Sequence, residues 1–214
     1  MFALDRDIAQ IEPSVFRDIT WVGQLAARGT ATVNGTMLEA SAVTPAFTDS
    51  GIELGHVVVV GGQSLEVIDV LSENFLEVAM LREGVEARII PPVDIVSSPF
   101  HVMTFRPQLE WVHRQVLAML GLAPAAVNDG VLLPETSIKN PWEFVRVEVF
   151  GALHVIYAAA GAALAADHAI NQRSAMYKQL FREERLRVVA QIDTDGDGQA
   201  DVLRRMNVGQ LVRG

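Results

Sequence analysis

The stretch Thr30-Ala-Thr-Val-Asn-Gly-Thr-Met-Leu-Glu39 decides the fold of the N-terminal half. Two runs of strand-forming side chains flank Asn34-Gly35, and an Asn-Gly pair predicts a two-residue hairpin turn because both turn positions need a positive φ. Three more short apolar runs follow, at residues 57–60, 65–71 and 75–81. We therefore expect a meander over residues 29–81 that forms a small antiparallel β-barrel or sandwich.

A short helix is predicted before this β-region. Leu4, Ile8 and Ile11 repeat at helical spacing, and Pro13 ends the run. We expect Asp5 to cap this helix, because aspartate accepts hydrogen bonds from free amides at a helix start.

A connector is predicted after the β-region. Residues 89–107 contain four prolines, at positions 91, 92, 99 and 107, and proline lacks the backbone N–H that regular structure needs. We therefore expect no regular structure there and place the domain boundary within this segment. Residues 1–100 form the first predicted domain and residues 101–214 the second.

The C-terminal half follows a helical period. Apolar residues repeat at helical spacing over residues 109–120, Gly121 is placed to end that helix, and residues 123–139 indicate a long loop. Asn140-Pro141 predicts the start of a long helix, because asparagine caps free amides and proline is tolerated at the first helical position. An amphipathic helix is predicted from Asp167 to about Gln191. We therefore expect an α+β protein whose C-terminal domain is a helical bundle with two long helices.

The segment Val149–Ala166 contains no Asp, Glu, Lys or Arg, so it meets the length criterion for a membrane span. It is rich in alanine and lacks the Leu, Ile and Phe content that drives insertion, so we expect no membrane contact. Such a segment indicates a helix packed on nearly all sides. We expect its small residues to pack against helices of adjacent subunits. These residues are Gly151, Ala152, Ala159 and Ala163.

The composition excludes several kinds of site. Half of the 214 residues are hydrophobic, enough to bury a core, and the absence of cysteine excludes disulfides and thiolate ligands. The formal net charge is -9, and residues 1–100 hold 14 acidic residues against 5 arginines. This balance disfavours nucleic-acid binding through a basic patch in that half. The first residues form no apolar secretory stretch, so we expect synthesis and use in the cytoplasm or on a particle assembled there.

The sharpest local motif is Asp193-Thr-Asp-Gly-Asp-Gly-Gln-Ala-Asp201. Its carboxylates, its glycine at the sixth position and its carbonyl at the seventh follow the order in which a calcium loop wraps its ion. Arg204 stands at the twelfth position, where an EF-hand has glutamate, so only the first nine positions match. The alternative is an acidic, glycine-rich turn without metal. We predict a Ca²⁺ site with five ligands: Asp193, Asp195, Asp197, Gln199 through its carbonyl, and Asp201.

Motifs for catalysis are missing from the sequence. There is no G-x-S-x-G elbow, Gly61-Gly62 is not followed by Gly-Lys-Ser/Thr, and the five histidines show no paired spacing typical of zinc. His154 is expected to be a hydrogen-bonded core or interface residue. We therefore predict that the protein is not an enzyme and has no catalytic residues.

The order of parts resembles head-to-tail adaptor proteins of tailed bacteriophages and related particles. A short N-terminal helix, a long helix pair and the Asp193–Asp201 loop before Asn207-Val-Gly-Gln-Leu-Val-Arg-Gly214 carry the resemblance, as does the amphipathic stretch Ala175–Arg185. The β-region is similar to barrels that embellish phage neck and tail proteins, although simpler adaptors are almost wholly helical.

The resemblance implies a structural virion protein in the neck, assembled in the host cytoplasm. It implies a homo-oligomeric ring between the portal protein and the tail or stopper proteins, through which DNA passes without sequence-specific binding. Two alternatives stay open. The first is a calcium-dependent binding or adhesion module. The second is a Mg²⁺-dependent nuclease or phosphoryl-transfer enzyme, which is disfavoured because all four aspartates lie on one loop.

Overall fold

A computed structural model describes residues 1–124, 132–165 and 167–206 of the chain. Contacts divide it into two compact units. The first, which we call the barrel unit, is Leu4–Arg106, and the second, the helical unit, joins Met1–Ala3 to Pro107–Gly214. The predicted tail at 207–214, Ala166 and positions 125–131 of the predicted loop lie outside the described residues.

The barrel unit contains six antiparallel strands in a closed barrel with the order β1-β2-β5-β4-β3-β6. The antiparallel β-barrel predicted from the sequence is therefore confirmed, but the predicted meander is wrong, because β2 pairs with β5 and not with β3. Alternate strand residues such as Ala31, Val33, Val58 and Val102 point inward and are almost fully buried. The strands are β1 Leu25–Asn34, β2 Met37–Thr44, β3 Val57–Val60, β4 Gln63–Val70, β5 Phe75–Ala79 and β6 Ile95–Met103.

The predicted hairpin joins β1 to β2. Asn34 pairs with Met37, and Gly35 in the turn has a φ of 59°. Gly29 serves a different purpose in β1, because a Cβ there would lie 1.8 Å from the carbonyl oxygen of Ala42. Only glycine allows the two backbones to approach this closely.

The proline-rich connector is the main error of the sequence analysis in this unit. Residues 89–107 include β6, which pairs with β1 along most of its length and with β3 only from Phe100 onward. Pro99 pairs with Thr30 on one side and lies beyond the part of β6 that pairs with β3. Proline is tolerated in a strand where one edge lacks a ladder partner, so it did not prevent strand formation here.

Two short helices precede the barrel: α1, Asp5–Ile11, and α2, Val15–Asp18. The predicted N-terminal helix is confirmed, but its cap is not Asp5. Asp7 accepts a hydrogen bond from the Leu4 N–H at 2.7 Å, whereas Asp5 is buried and accepts from the Phe105 N–H at 2.8 Å. A carboxylate inside the first turn can satisfy a free amide as well as one before it.

Helices α3, α4 and α5 occupy the C-terminal half, together with short strands that the sequence analysis did not predict. The helices are α3 Arg106–Leu120, α4 Val145–Gly161 and α5 Ala169–Arg187. The strands are β7 Leu122–Ala123 parallel to β8 Leu133–Pro134, and β9 Val189–Ile192 antiparallel to β10 Val202–Arg205. Turns of 3₁₀-helix lie at Glu135–Ser137 and Pro141–Phe144.

Asn140 does not cap the helical segment that follows it. Its amide instead donates to the Val189 carbonyl at 2.9 Å and accepts from the Gln191 N–H at 2.8 Å. Strand β9 therefore engages both the NH2 donor and the oxygen acceptor of this buried amide, so the side chain does not cap the helical segment.

Helix α4 is buried at its centre and exposed near its end. Gly151 and Ala152 are buried within the chain, whereas Ala159 and Ala163 are exposed in the single chain, so the packing of the last two between subunits stays a prediction. A Cβ at Gly151 would lie 2.6 Å from Val112 and 3.2 Å from Phe181, so side chains of the same chain fill this face. By length and composition Pro141–Gly161 also passes as a membrane span, but 61% of its most apolar window is buried in the protein, as in an ordinary core helix.

Candidate functional site

The aspartate motif forms the connection of the β9–β10 hairpin. The strands pair from Val189 with Arg205 to Ile192 with Val202, so residues 193–201 protrude as a loop. Gly196 and Gly198 have φ values of 82° and 93°, which L-residues with side chains rarely adopt. These glycines let the loop fold back over its first aspartate.

Asp193 is the anchor of this loop. Its carboxylate accepts from the Gly196 N–H at 2.6 Å and the Gly198 N–H at 2.9 Å, and it pairs with the Lys139 ammonium at 2.8 Å. The hydrogen bond from Lys139 and the two backbone bonds lower the pKa of Asp193 to about 2, against a smaller opposing effect of burial. The group is therefore ionised throughout the neutral range.

Asp195 and Asp197 complete a carboxylate trio with Asp193. Ligand oxygens of the three residues all lie within 4.8 Å of one another. Asp195 accepts from the Asp197 N–H at 3.1 Å, and Asp197 accepts from the Gln199 N–H at 2.7 Å, so local Asx turns hold both side chains. Hard oxygen ligands at this spacing suit a divalent cation such as Ca²⁺ or Mg²⁺, and the trio alone does not select between them.

The other predicted ligands lie on the same loop but outside this trio. Asp201 accepts from the Thr194 N–H at 2.8 Å and the Thr194 hydroxyl at 2.9 Å, and these bonds lower its pKa. Arg204 donates to the Leu120 carbonyl, so its charge is held by α3. The predicted ligand set does not include Lys139, whose ammonium lies 2.8 Å from a carboxylate oxygen of Asp193. A divalent cation on the trio would have to displace it or share that carboxylate.

A second polar cluster lies inside the helical unit, and sequence reasoning missed it. His113 bonds Glu148 through Nδ1 and Glu135 through Nε2, both at 2.6 Å. Glu148 is fully buried and also accepts from the N–H groups of Phe2 and Ala3 at 2.9 Å. Burial is the largest single effect and disfavours the charged imidazole, but the hydrogen bonds with Glu148 and Glu135 and the charge of Glu148 together outweigh it, so the pKa of His113 is raised.

This cluster binds the N-terminal segment and carries no recognisable chemistry. Both ring nitrogens of His113 are engaged by carboxylates, so neither is free to act as a general base toward a ligand. The available signals were a histidine in the apolar stripe of α3 and a glutamate in the apolar run of α4. Neither signal predicts that the histidine and the glutamate form a hydrogen bond with each other.

His154 has the structural role that the sequence predicts. Its Nδ1 lies 3.0 Å from the Ser174 hydroxyl and 3.1 Å from the Ser174 carbonyl oxygen. It is a hydrogen-bonded residue between α4 and α5.

Comparison with known proteins gave no match: no protein-family model, no curated protein and no solved structure matches this chain.

Proposed function

We propose that this protein is a structural subunit of a phage-type particle, a head-to-tail adaptor in the virion neck. In this proposal identical subunits form a ring between the portal protein and the tail or stopper proteins. The observation that carries the proposal is the order of parts: α1, the barrel, α4 and α5, and the aspartate hairpin β9–β10. The resemblance to head-to-tail adaptors rests on the same order.

The charge of the barrel unit supports passage of DNA without specific binding. Its part of the sequence is strongly acidic, and several carboxylates are exposed on it, among them Glu39, Asp49, Glu73 and Glu83. Such a surface repels phosphate, which suits a channel over which DNA slides.

The proposal includes a helical bundle in the C-terminal half, with α4 and α5 as its two long helices.

The experiment removes the gene from a genome that produces the particles and examines the lysate by electron microscopy. We expect DNA-filled heads and separate tails in the deletion strain, because an adaptor joins the two only after packaging. Expression of the wild-type chain in trans restores complete particles. Complete particles in the deletion strain would contradict the proposal.

The carboxylate trio favours one second candidate, a calcium-dependent binding or adhesion module. Asp195 and Asp197 are exposed at the hairpin tip, where a bound cation could also contact a partner. The two candidates differ in whether a partner is lost when calcium is removed. A chelator should release the partner of a calcium-dependent module, whereas a neck subunit should stay in its particle. We expect no enzymatic turnover from either.

A further inference from the structure

A pocket lies between α3, α4 and α5, entirely within the helical unit. Its volume is about 190 Å³. Val112, Gly151 and Phe181 supply an apolar lining, and the half-exposed indole of Trp111 lies at its edge. For comparison, an engineered apolar cavity of roughly 150 Å³ holds a benzene ring. The pocket is therefore large enough for an aromatic side chain.

The α5 side of this pocket carries three positively charged side chains. Lys178, Arg182 and Arg185 line it at successive helical turns. In the described part of the chain none of the three forms an ion pair, and the buried Nε of Arg185 has no hydrogen-bond partner. Burial lowers the pKa of His154 in the pocket wall, and Lys178 and Arg182 lower it further. The pocket thus suits an aromatic group that has a carboxylate beside it.

The same unit displays such a pair on its surface. Trp142 is 67% exposed, the most exposed aromatic residue among those with described surfaces, and the exposed Glu143 follows it directly. An exposed indole of this kind is unfavourable in water and is typical of interface hot spots. Their 3₁₀ turn, Pro141–Phe144, is anchored by the buried Phe144, so both side chains are presented on a fixed element.

Trp142 cannot fill the pocket of its own chain. Residues 142 and 151 are separated by nine positions, about 14 Å along a helix, and His154 lies farther still. An indole at position 142 therefore reaches such a pocket only on another molecule. When two copies do not exchange this contact reciprocally, it is head-to-tail and generates a ring if the rotation between copies closes.

We propose that Trp142 and Glu143 of one copy dock in the pocket of a second copy, with the indole on the apolar lining and the carboxylate against Lys178 and Arg182. The inference rests on the ring in the proposed function and names the surfaces that form it. Opposite charges at the two surfaces favour this pairing and fix its direction.

The test is carbodiimide cross-linking, which joins a carboxylate to a lysine amine in direct contact. The chain has only two lysines, Lys139 and Lys178, so the products are few. A mixture of ¹⁵N-labelled and unlabelled protein is cross-linked at high concentration, digested and analysed by mass spectrometry. We expect a Glu143–Lys178 link between labelled and unlabelled chains. The Lys139–Asp193 pair, at 2.8 Å, is the internal control and must link within one chain.

The variant Trp142→Ala should lower the yield of the intermolecular link at least tenfold and leave the internal control unchanged. Trp142→Phe should retain part of that yield, because a smaller ring still enters the pocket. Gln179→Lys is the matched control: position 179 is exposed on α5 but does not line the pocket, so it should give no link to Glu143.

Two results would overturn the proposal: an internal control link without the Glu143–Lys178 link, or an intermolecular link that is insensitive to Trp142→Ala. Neither result depends on particles. A failed docking test with separated heads and tails in the deletion strain would reject these surfaces and leave the neck function in place. The Glu143–Lys178 link together with complete particles in the deletion strain would show that the protein self-associates but has another function.

Discussion

Glu148 shows how a single buried charge organises the helical unit. It has no exposed surface, and its two oxygens are satisfied by His113 on one side and by the N–H groups of Phe2 and Ala3 on the other. A buried carboxylate with both oxygens hydrogen-bonded fixes one arrangement of its neighbours. The N-terminal residues are thereby held by a side chain 145 positions away in the sequence.

Replacement of Glu148 by glutamine tests this arrangement. We expect the free energy of unfolding to fall by about 3 kcal/mol, since breaking a buried ion pair leaves its partner uncompensated. Because the pKa of His113 is raised in the folded state, its stabilising effect is present below the ordinary pKa of 6.5 and is lost as pH rises through the higher value. The difference between wild type and Glu148→Gln in urea unfolding should therefore be larger at pH 6 than at pH 9.

Glu143→Gln is the control for this measurement, because Glu143 is exposed on the neighbouring turn. Its effect on unfolding should stay within about 0.5 kcal/mol. Equal losses in both variants, or a difference that does not depend on pH, would show that the His113–Glu148 pair does not stabilise the fold.

At the scale of elements, the sequence predicted correctly those turns and helices that depend only on neighbouring residues. The Asn34-Gly35 turn and the helix over residues 109–120 follow from propensity and period, and both are present. The aspartate trio was likewise visible because its members share one loop. Strand β6 was missed because its partners β1 and β3 are distant in the sequence and tertiary pairing overrode a proline signal. The pair β7–β8 was missed because strands of two residues are too short to show a strand period.

The β9–β10 loop carries the calcium prediction. In titration calorimetry with CaCl₂ we expect binding heat from the wild type and its loss in Asp195→Ala, because the exposed Asp195 contributes an oxygen to the trio without supporting the fold. Asp18→Ala, an exposed aspartate in the barrel unit, should bind like the wild type. Negligible heat in all three proteins would reject the site.

Lys139 offers an independent check on the same loop. Its ammonium competes with a metal ion for Asp193, so Lys139→Met should bind calcium more tightly than the wild type if the trio is the site. Weaker binding in this variant would place the ion elsewhere.

At the scale of the molecule, the sequence indicated a β-unit and a helical unit but not which residues belong to each. Residues 1–3 belong with the helical unit, although α1 directly after them belongs with the barrel. No period or propensity reports such a division, because it depends on Glu148 and its partners. Ala158, Ala159, Ala162 and Ala163, at the end of α4 and just after it, are exposed in the single chain, so their burial between subunits stays a prediction.

The exposed end of α4 provides the assembly prediction. Ala159→Arg should give folded, soluble protein, because position 159 faces solvent, and should fail to join the particle ring, because a long charged side chain blocks close packing. Incorporation is measured as copy number per particle. Gln179→Arg, at an exposed position of α5 that does not line the pocket, is the control and should be incorporated normally. Wild-type copy number for Ala159→Arg would show that this surface is not an interface.

The division of the chain also makes the barrel an insertion. The helical unit starts with residues 1–3, is interrupted by residues 4–106 and resumes at Pro107, so two junctions separate host from guest. A fragment that starts at Pro107 lacks Phe2 and Ala3 and leaves two acceptor positions of Glu148 empty. Grafting a different guest between Ala3 and Pro107 preserves both of these bonds. Exchange of the barrel in that way is the natural route to a family of chimeric proteins on one helical host.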